Sequence, residues 1–240
     1  MNPITSRRGQ DWIDAMKRAF AEDAAYVEKH SGPDQKYALL RDCCVPVFAM
    51  RILGKDAYHH ILDVGCGTGS LTRILATVAT KVKGIDAVDD AIRIASERGA
   101  GFANLEFSVA DVFSTPLENE AYDFMHVREF HPLTRDLYAD NTEKREAHRQ
   151  IIAKLAASLT HGGFIYLAHV TGKRQCLNAA ELKGLEGLEL VCHGVDGRVL
   201  FLLAPILRYR KIALRVAKFL SLPLRLNGAY FFEIVVLRKL

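Results

Sequence analysis

Residues 61–69 read Ile-Leu-Asp-Val-Gly-Cys-Gly-Thr-Gly, an apolar strand that carries an acid and runs into three glycines at alternate positions ahead of a helical run. A strand-to-helix turn of this kind is expected to expose unpaired backbone N–H groups at the positive end of the helix. The missing Cβ atoms at Gly65, Gly67 and Gly69 let a ligand come close to the main chain. The spacing is not the G-x-G-x-x-G of dinucleotide-binding turns and lacks the lysine of a P-loop, so an NAD-dependent oxidoreductase is disfavoured. Asp63 stands two residues before the first glycine, which suits a ligand with a cationic amine better than a pyrophosphate.

The next stretches extend the pattern. Val82 to Ile85 is apolar and ends in Asp86, about where a βαβ unit delivers its second strand. An acid there accepts hydrogen bonds from both hydroxyls of a ribose, each contributing roughly 1.5–3 kcal/mol. A third strand, Leu105 to Val109, is followed by Asp111; a fourth, Tyr122 to Val127, leads into Arg128-Glu129-Phe130-His131-Pro132. Leu155 to Leu159, the turn His161-Gly162-Gly163 and a strand from Phe164 to Val170 come next, then Leu188 to Cys192 and Tyr230 to Leu237. Strands alternating with helices predict a mostly parallel sheet covered on both faces.

Together these stretches resemble the class I S-adenosylmethionine-dependent methyltransferases, whose first motif is an acid, one residue, then G-x-G-x-G. The resemblance runs over about 110 residues, with His161 where that family usually has a proline before its glycine pair. It implies a Rossmann-like α/β fold with a seven-stranded, mostly parallel sheet, an antiparallel last strand and helices on both faces. It also implies S-adenosyl-L-methionine as cofactor, held by Asp63, Gly65, Cys66, Gly67 and Gly69 in the first loop, Asp86 and Ala87 at the ribose, Asp111 and Val112 at the adenine, and Arg128 after the fourth strand. The domain then covers residues 54–240. Residues 1–53 form an N-terminal helical cap, in which Trp12, Met16 and Phe20 and then Leu40, Cys44, Val47, Phe48 and Ile52 mark two helices. This cap is either a lid over the cofactor, as the resemblance implies, or a cover for the sheet edge.

Methyl transfer from a sulfonium chiefly needs a nucleophile held in line, and a base only when that nucleophile carries a proton. Candidate groups sit at the carboxyl ends of the strands. His131 is the first candidate base, the alternative being that it braces the Phe130-Pro132 turn; His169 is the second. His126, within the fourth strand, reads as a core or sheet-face residue. Arg128 and Glu129 bind a polar substrate or pair with each other. Asp140-Asn141 resembles the metal-binding pair of catechol-type enzymes but precedes the helix leading into the fifth strand, so metal-independent chemistry is expected. Cys43, Cys44, Cys66, Cys176 and Cys192 include no C-x-x-C pair, which supports neither a disulfide framework nor a structural zinc site.

No apolar signal region opens the sequence and no uncharged stretch nears the roughly 20 residues that span a bilayer, so a cytoplasmic protein is expected. The basic residues are unevenly placed. Residues 196–226 hold seven of the 32 Lys and Arg (Arg198, Arg208, Arg210, Lys211, Arg215, Lys218, Arg225) and one of the 28 acids, Asp196. An insertion at about 195–227 therefore carries the whole net charge of +4 and more. Helical periodicity puts Tyr209, Ile212, Ala213, Val216, Ala217 and Leu220 on one face, with Arg208, Lys211, Arg215 and Lys218 opposite. Such a helix packs on the sheet with a solvated basic face, walls the substrate pocket or contacts a subunit, or lies peripherally on an anionic membrane through residues 199–226. Nucleic acid is not an expected partner, because basic and aromatic residues are not interleaved. The expected acceptor is an O or N atom of a small metabolite or of a sugar or lipid conjugate. A catalytically silent relative that binds the cofactor as a regulatory module is the other reading.

Overall fold

A computed structural model of the chain describes residues 57–128, 142–171, 179–196, 199, 210–226 and 231–240. Strands β1 (Tyr58–Val64), β2 (Ala79–Asp86), β3 (Leu105–Val109), β4 (Tyr122–Arg128), β5 (Leu159–Thr171), β6 (Leu188–Asp196) and β7 (Phe231–Lys239) form one sheet in the order β3-β2-β1-β4-β5-β7-β6. Strands β1 to β5 pair in parallel, and β7 runs antiparallel between β5 and β6. This is the expected seven-stranded sheet with its last strand reversed. The helices among the described residues are α1 (Ser70–Leu75), α2 (Asp89–Gly99), α3 (Thr142–Ser158), α4 (Ala179–Lys183) and α5 (Arg210–Leu226).

The central strands are buried on both faces, which is why β1 reads as an apolar run rather than an alternation. The pleat sorts their side chains into two cores. Ile61, Phe124, Tyr166 and Val236 face Leu75 of α1 and Ala217 of α5; Leu62, Met125, Ile165 and Leu237 face Ile152 and Leu155 of α3. At the amino end of the sheet the Asp123 carboxylate accepts the backbone N–H groups of His59 and His60, both at 2.9 Å, and ties β4 to β1. Strand order reverses between β1 and β4, so the crevice beyond their carboxyl ends is the natural ligand position.

Three local expectations change. The His161-Gly162-Gly163 turn lies inside β5, which begins at Leu159. Leu159 pairs with Tyr122 but Phe164 with Phe124, so the glycine turn is a bulge that leaves the strand unbroken. Gly162 adopts φ 73°, and a Cβ on Gly163 would lie 2.9 Å from the Thr160 carbonyl oxygen, so the bulge needs both glycines. Strand β6 continues past Cys192 to Asp196. On α5, Ala217 is buried as expected, but Ile212 and Leu220, placed on the same face by periodicity, are exposed. The helix docks through a narrow strip of small residues, Ala217 and Ser221, and turns bulkier apolar side chains outward. The expected cap, residues 1–53, lies outside the described residues.

Candidate cofactor-binding site

Gly65, Gly67 and Gly69 all take left-handed backbone angles (φ 71°, 54° and 73°), which lets five residues turn β1 into α1. The turn does not expose a row of free N–H groups. Gly65 and Cys66 both donate to the Ile85 carbonyl oxygen at 2.9 and 3.0 Å, and Gly69 donates to that of Cys66 at 3.1 Å. The Gly67 N–H donates to Asp86 Oδ2 at 2.9 Å. A loop with four of its five N–H groups already bonded, three of them to β2, is poorly suited to a pyrophosphate and leaves the neighbouring carboxylate as its main polar group. Among the described residues a Cβ at Gly67 would meet nothing within 4 Å, whereas one at Gly69 would lie 2.6 Å from Phe107 Cζ. Gly67 therefore borders open space, and Gly69 is a packing glycine. The Phe107 ring also lies within contact distance of the positions a Cβ would take on Gly84 and Gly99, and so wedges β3 against β2 and α2.

Asp86 closes β2 and accepts two backbone bonds, Gly67 on Oδ2 and Val88 on Oδ1, each at 2.9 Å. Burial pushes its carboxyl above the usual carboxylate range, against the lowering effect of those two donors. Four lone-pair sites per carboxylate leave room for further donors such as hydroxyls. Ala87 follows it between β2 and α2, half-buried. Asp111 lies just past β3, and its side chain orders its own turn: Phe113 N–H donates to Oδ1 at 3.0 Å and the Ser114 hydroxyl to Oδ2 at 2.9 Å. Val112 points into the core. The Ala110 N–H donates to the Asp86 carbonyl oxygen at 2.8 Å, so the two acid-bearing strand ends are tied side by side.

Asp63 sits differently from the other acids. It is 2% exposed, and both oxygens are engaged beneath the loop: His126 Nδ1 lies 2.7 Å from Oδ1, and Thr72 Oγ1 donates to Oδ2 at 2.6 Å. His126 is 1% exposed and stacks on Tyr166 with ring centroids 5.5 Å apart. These contacts tie β1 to β4 and to the first turn of α1. Thr72 and the pairing role of His126 were not legible in the sequence; the histidine's position opposite Asp63 follows only from the β1–β4 register.

Arg128 ends β4, half-buried. His131 and the Asp140-Asn141 pair lie outside the described residues. His169 occupies β5 near its carboxyl end, with its backbone paired to that of Glu233. The Cys66 thiol is held neutral by burial and by the nearby carboxylates of Asp63 and Asp86, and burial pushes the Cys192 thiol up to about 12. Neither is a nucleophile at neutral pH. No group of three His, Cys, Asp or Glu side chains among the described residues is arranged to hold a metal.

The chain is 38% identical over 79 residues to the mitochondrial ubiquinone biosynthesis O-methyltransferase of Bos taurus, covering 32% of this chain and 21% of that protein. It is 33% identical over 75 residues to the demethylmenaquinone methyltransferase of Tropheryma whipplei strain Twist, 31% of each. The alignments thus span a third or less of these relatives' lengths. Among solved structures, the N-methyltransferase NodS from Bradyrhizobium japonicum in complex with S-adenosyl-L-homocysteine superposes with a TM-score of 0.60 at 15% identity, over 95% of this chain and 97% of that one. The [4+2]-cyclase SpnF shares the fold at a TM-score of 0.53 and 21% identity, over 82% and 81% of the two chains. The sequence model of the methyltransferase domain matches residues 55–193, from β1 into β6, and the chain belongs to that family.

Proposed function

We propose that the protein is a metal-independent S-adenosylmethionine-dependent methyltransferase whose acceptor is an O or N atom of a small molecule. The observation that carries this reading is the Gly65–Gly69 loop, with the N–H groups of Gly65, Cys66, Gly67 and Gly69 already bonded, open space over Gly67 among the described residues, and the Asp86 carboxylate fixed beside it. These residues fit a ribosyl sulfonium better than a dinucleotide. When bound, S-adenosylmethionine supplies a methyl group already activated by its sulfonium. Asp86 would accept the ribose hydroxyls on its remaining lone pairs, and the turn at Asp111 and Val112 would border the adenine. Asp63 acts from beneath, holding the loop through Thr72 and His126.

The remaining task falls to the acceptor side. Holding a nucleophile in line is worth roughly 7–11 kcal/mol, and a base adds about 10²–10⁴-fold where the acceptor carries a proton. His131 and His169 are the proposed bases, and residues 1–53 the proposed lid. Two curated relatives are named for ubiquinone and demethylmenaquinone, which supports a small-molecule acceptor, lipid conjugates included. Incubation with labelled S-adenosylmethionine and a panel of phenols, quinols and amines tests the reading, with transfer to at least one class expected. A fold neighbour named as a cyclase shows that the fold is not confined to methyl transfer, which keeps a second reading, a silent relative that binds the cofactor as a regulatory module. Tight S-adenosylhomocysteine binding with no transfer across the panel would select it.

A further inference from the structure

We propose that the outward face of α5 is a docking surface for an anionic lipid bilayer, with the helix lying in the plane of the membrane. The helix is seated on the sheet by Ala217 and Ser221, both fully buried. On the opposite side Ile212 is 59% exposed, Phe219 74% and Leu222 49%, with Leu220 exposed on the flank. Residues 212, 215, 219 and 222 follow helical spacing, so three apolar side chains and Arg215 share one outer stripe. Arg215 and Lys218 are exposed beside them. This is the reverse of an ordinary surface helix, whose bulky apolar side chains turn inward and whose outer face is polar.

Charge selects the partner. No acid occurs between Asp196 and Glu233, a stretch that contains seven basic residues. A second copy of the chain would bring the same cations against Arg215 and Lys218. A nucleic acid would leave the isoleucine and leucine side chains against water or phosphate. The boundary of an anionic bilayer offers hydrocarbon below a layer of negative headgroups, which matches apolar side chains flanked by long cationic ones. Among the described residues no helix is long and apolar enough to cross a membrane, so contact through this face is interfacial.

The test does not depend on methyl transfer, because binding is read without an acceptor. The full chain is floated with vesicles of phosphatidylcholine alone or with about one third phosphatidylglycerol, at about 0.05 M and about 0.5 M salt. Binding to the anionic vesicles at low salt is expected, weakened at least tenfold by high salt and by Arg215→Glu with Lys218→Glu. Ile212→Ser, Phe219→Ser and Leu222→Ser combined should also weaken it at least tenfold. Circular dichroism and S-adenosylhomocysteine affinity, unchanged in both variants, establish that they fold. No binding to anionic vesicles at low salt overturns the proposal. So does binding that neither variant alters, or a dimer in sedimentation that the serine variant dissolves.

Discussion

The Nδ1 atom of His126 lies 2.7 Å from Oδ1 of Asp63 at the point where the sheet reverses its strand order. Thr72 Oγ1 donates to the other carboxylate oxygen at 2.6 Å, so both oxygens of Asp63 have a side-chain partner. Both partners are buried, and Asp63 stands two residues before Gly65, where the glycine loop begins. Replacing His126 by Phe leaves a buried carboxylate with one partner, a change that costs about 3–5 kcal/mol in comparable buried pairs. Urea unfolding should therefore show a stability loss of that order, with weaker S-adenosylhomocysteine binding. A loss below about 1 kcal/mol would show that the His126–Asp63 contact contributes little to the fold.

The glycines separate two effects. Gly67→Ala keeps the space but must hold φ 54°, a left-handed angle costing about 1–2 kcal/mol for an L-residue. Its cofactor affinity should fall more than its stability, because the added methyl projects into the open space. Gly69→Ala drives a Cβ to 2.6 Å from Phe107 Cζ and should destabilise the fold more. Adding Phe107→Leu to Gly69→Ala should recover part of that loss, whereas it should not restore cofactor affinity to Gly67→Ala. Paired denaturation and titration curves check both.

Acidity should affect binding through Asp86. Burial raises its carboxyl above the ordinary range, so over the interval between the folded and unfolded values the native state binds the proton better. On that account alone the fold gains stability as pH falls through this interval. Cofactor binding moves the opposite way, since protonation removes an acceptor. S-adenosylhomocysteine affinity measured over falling pH should be level and then decline, the decline beginning at higher pH than an ordinary aspartate would give. The Asp86→Asn protein should be weak and flat throughout; a declining profile in that variant would move the effect to another group.

The base is separable from the binding site by kinetics. His131→Ala should leave cofactor affinity intact and lower kcat by about 10²-fold or more. If turnover stays near normal, the role passes to His169, whose alanine variant should then show the loss.

The loop geometry was legible because left-handed angles at three positions of a five-residue turn require glycine, and the β2 strand end at Asp86 was legible from its apolar run. The inward use of Asp63 was not legible, because its partner His126 is 63 residues away in sequence and is brought there by register. Internal bonding of the loop N–H groups was missed for a similar reason, since the acceptors are Ile85 and Asp86 on a neighbouring strand. On α5 the periodicity was real but its direction was not determined. Apolar residues occur on both sides of that helix, and the small Ala217 and Ser221 decide the seated face by allowing close approach to the sheet.

Calorimetric titration of S-adenosylhomocysteine into the intact chain and into Asp86→Ala tests the central claim most directly. The account predicts saturable one-to-one binding to the intact chain and affinity weakened about tenfold or more in a variant that retains its fold by circular dichroism, since a hydrogen bond to a charged group is worth about 1.5–3 kcal/mol. Equal affinity in the two proteins, or no binding to the intact chain, would contradict it.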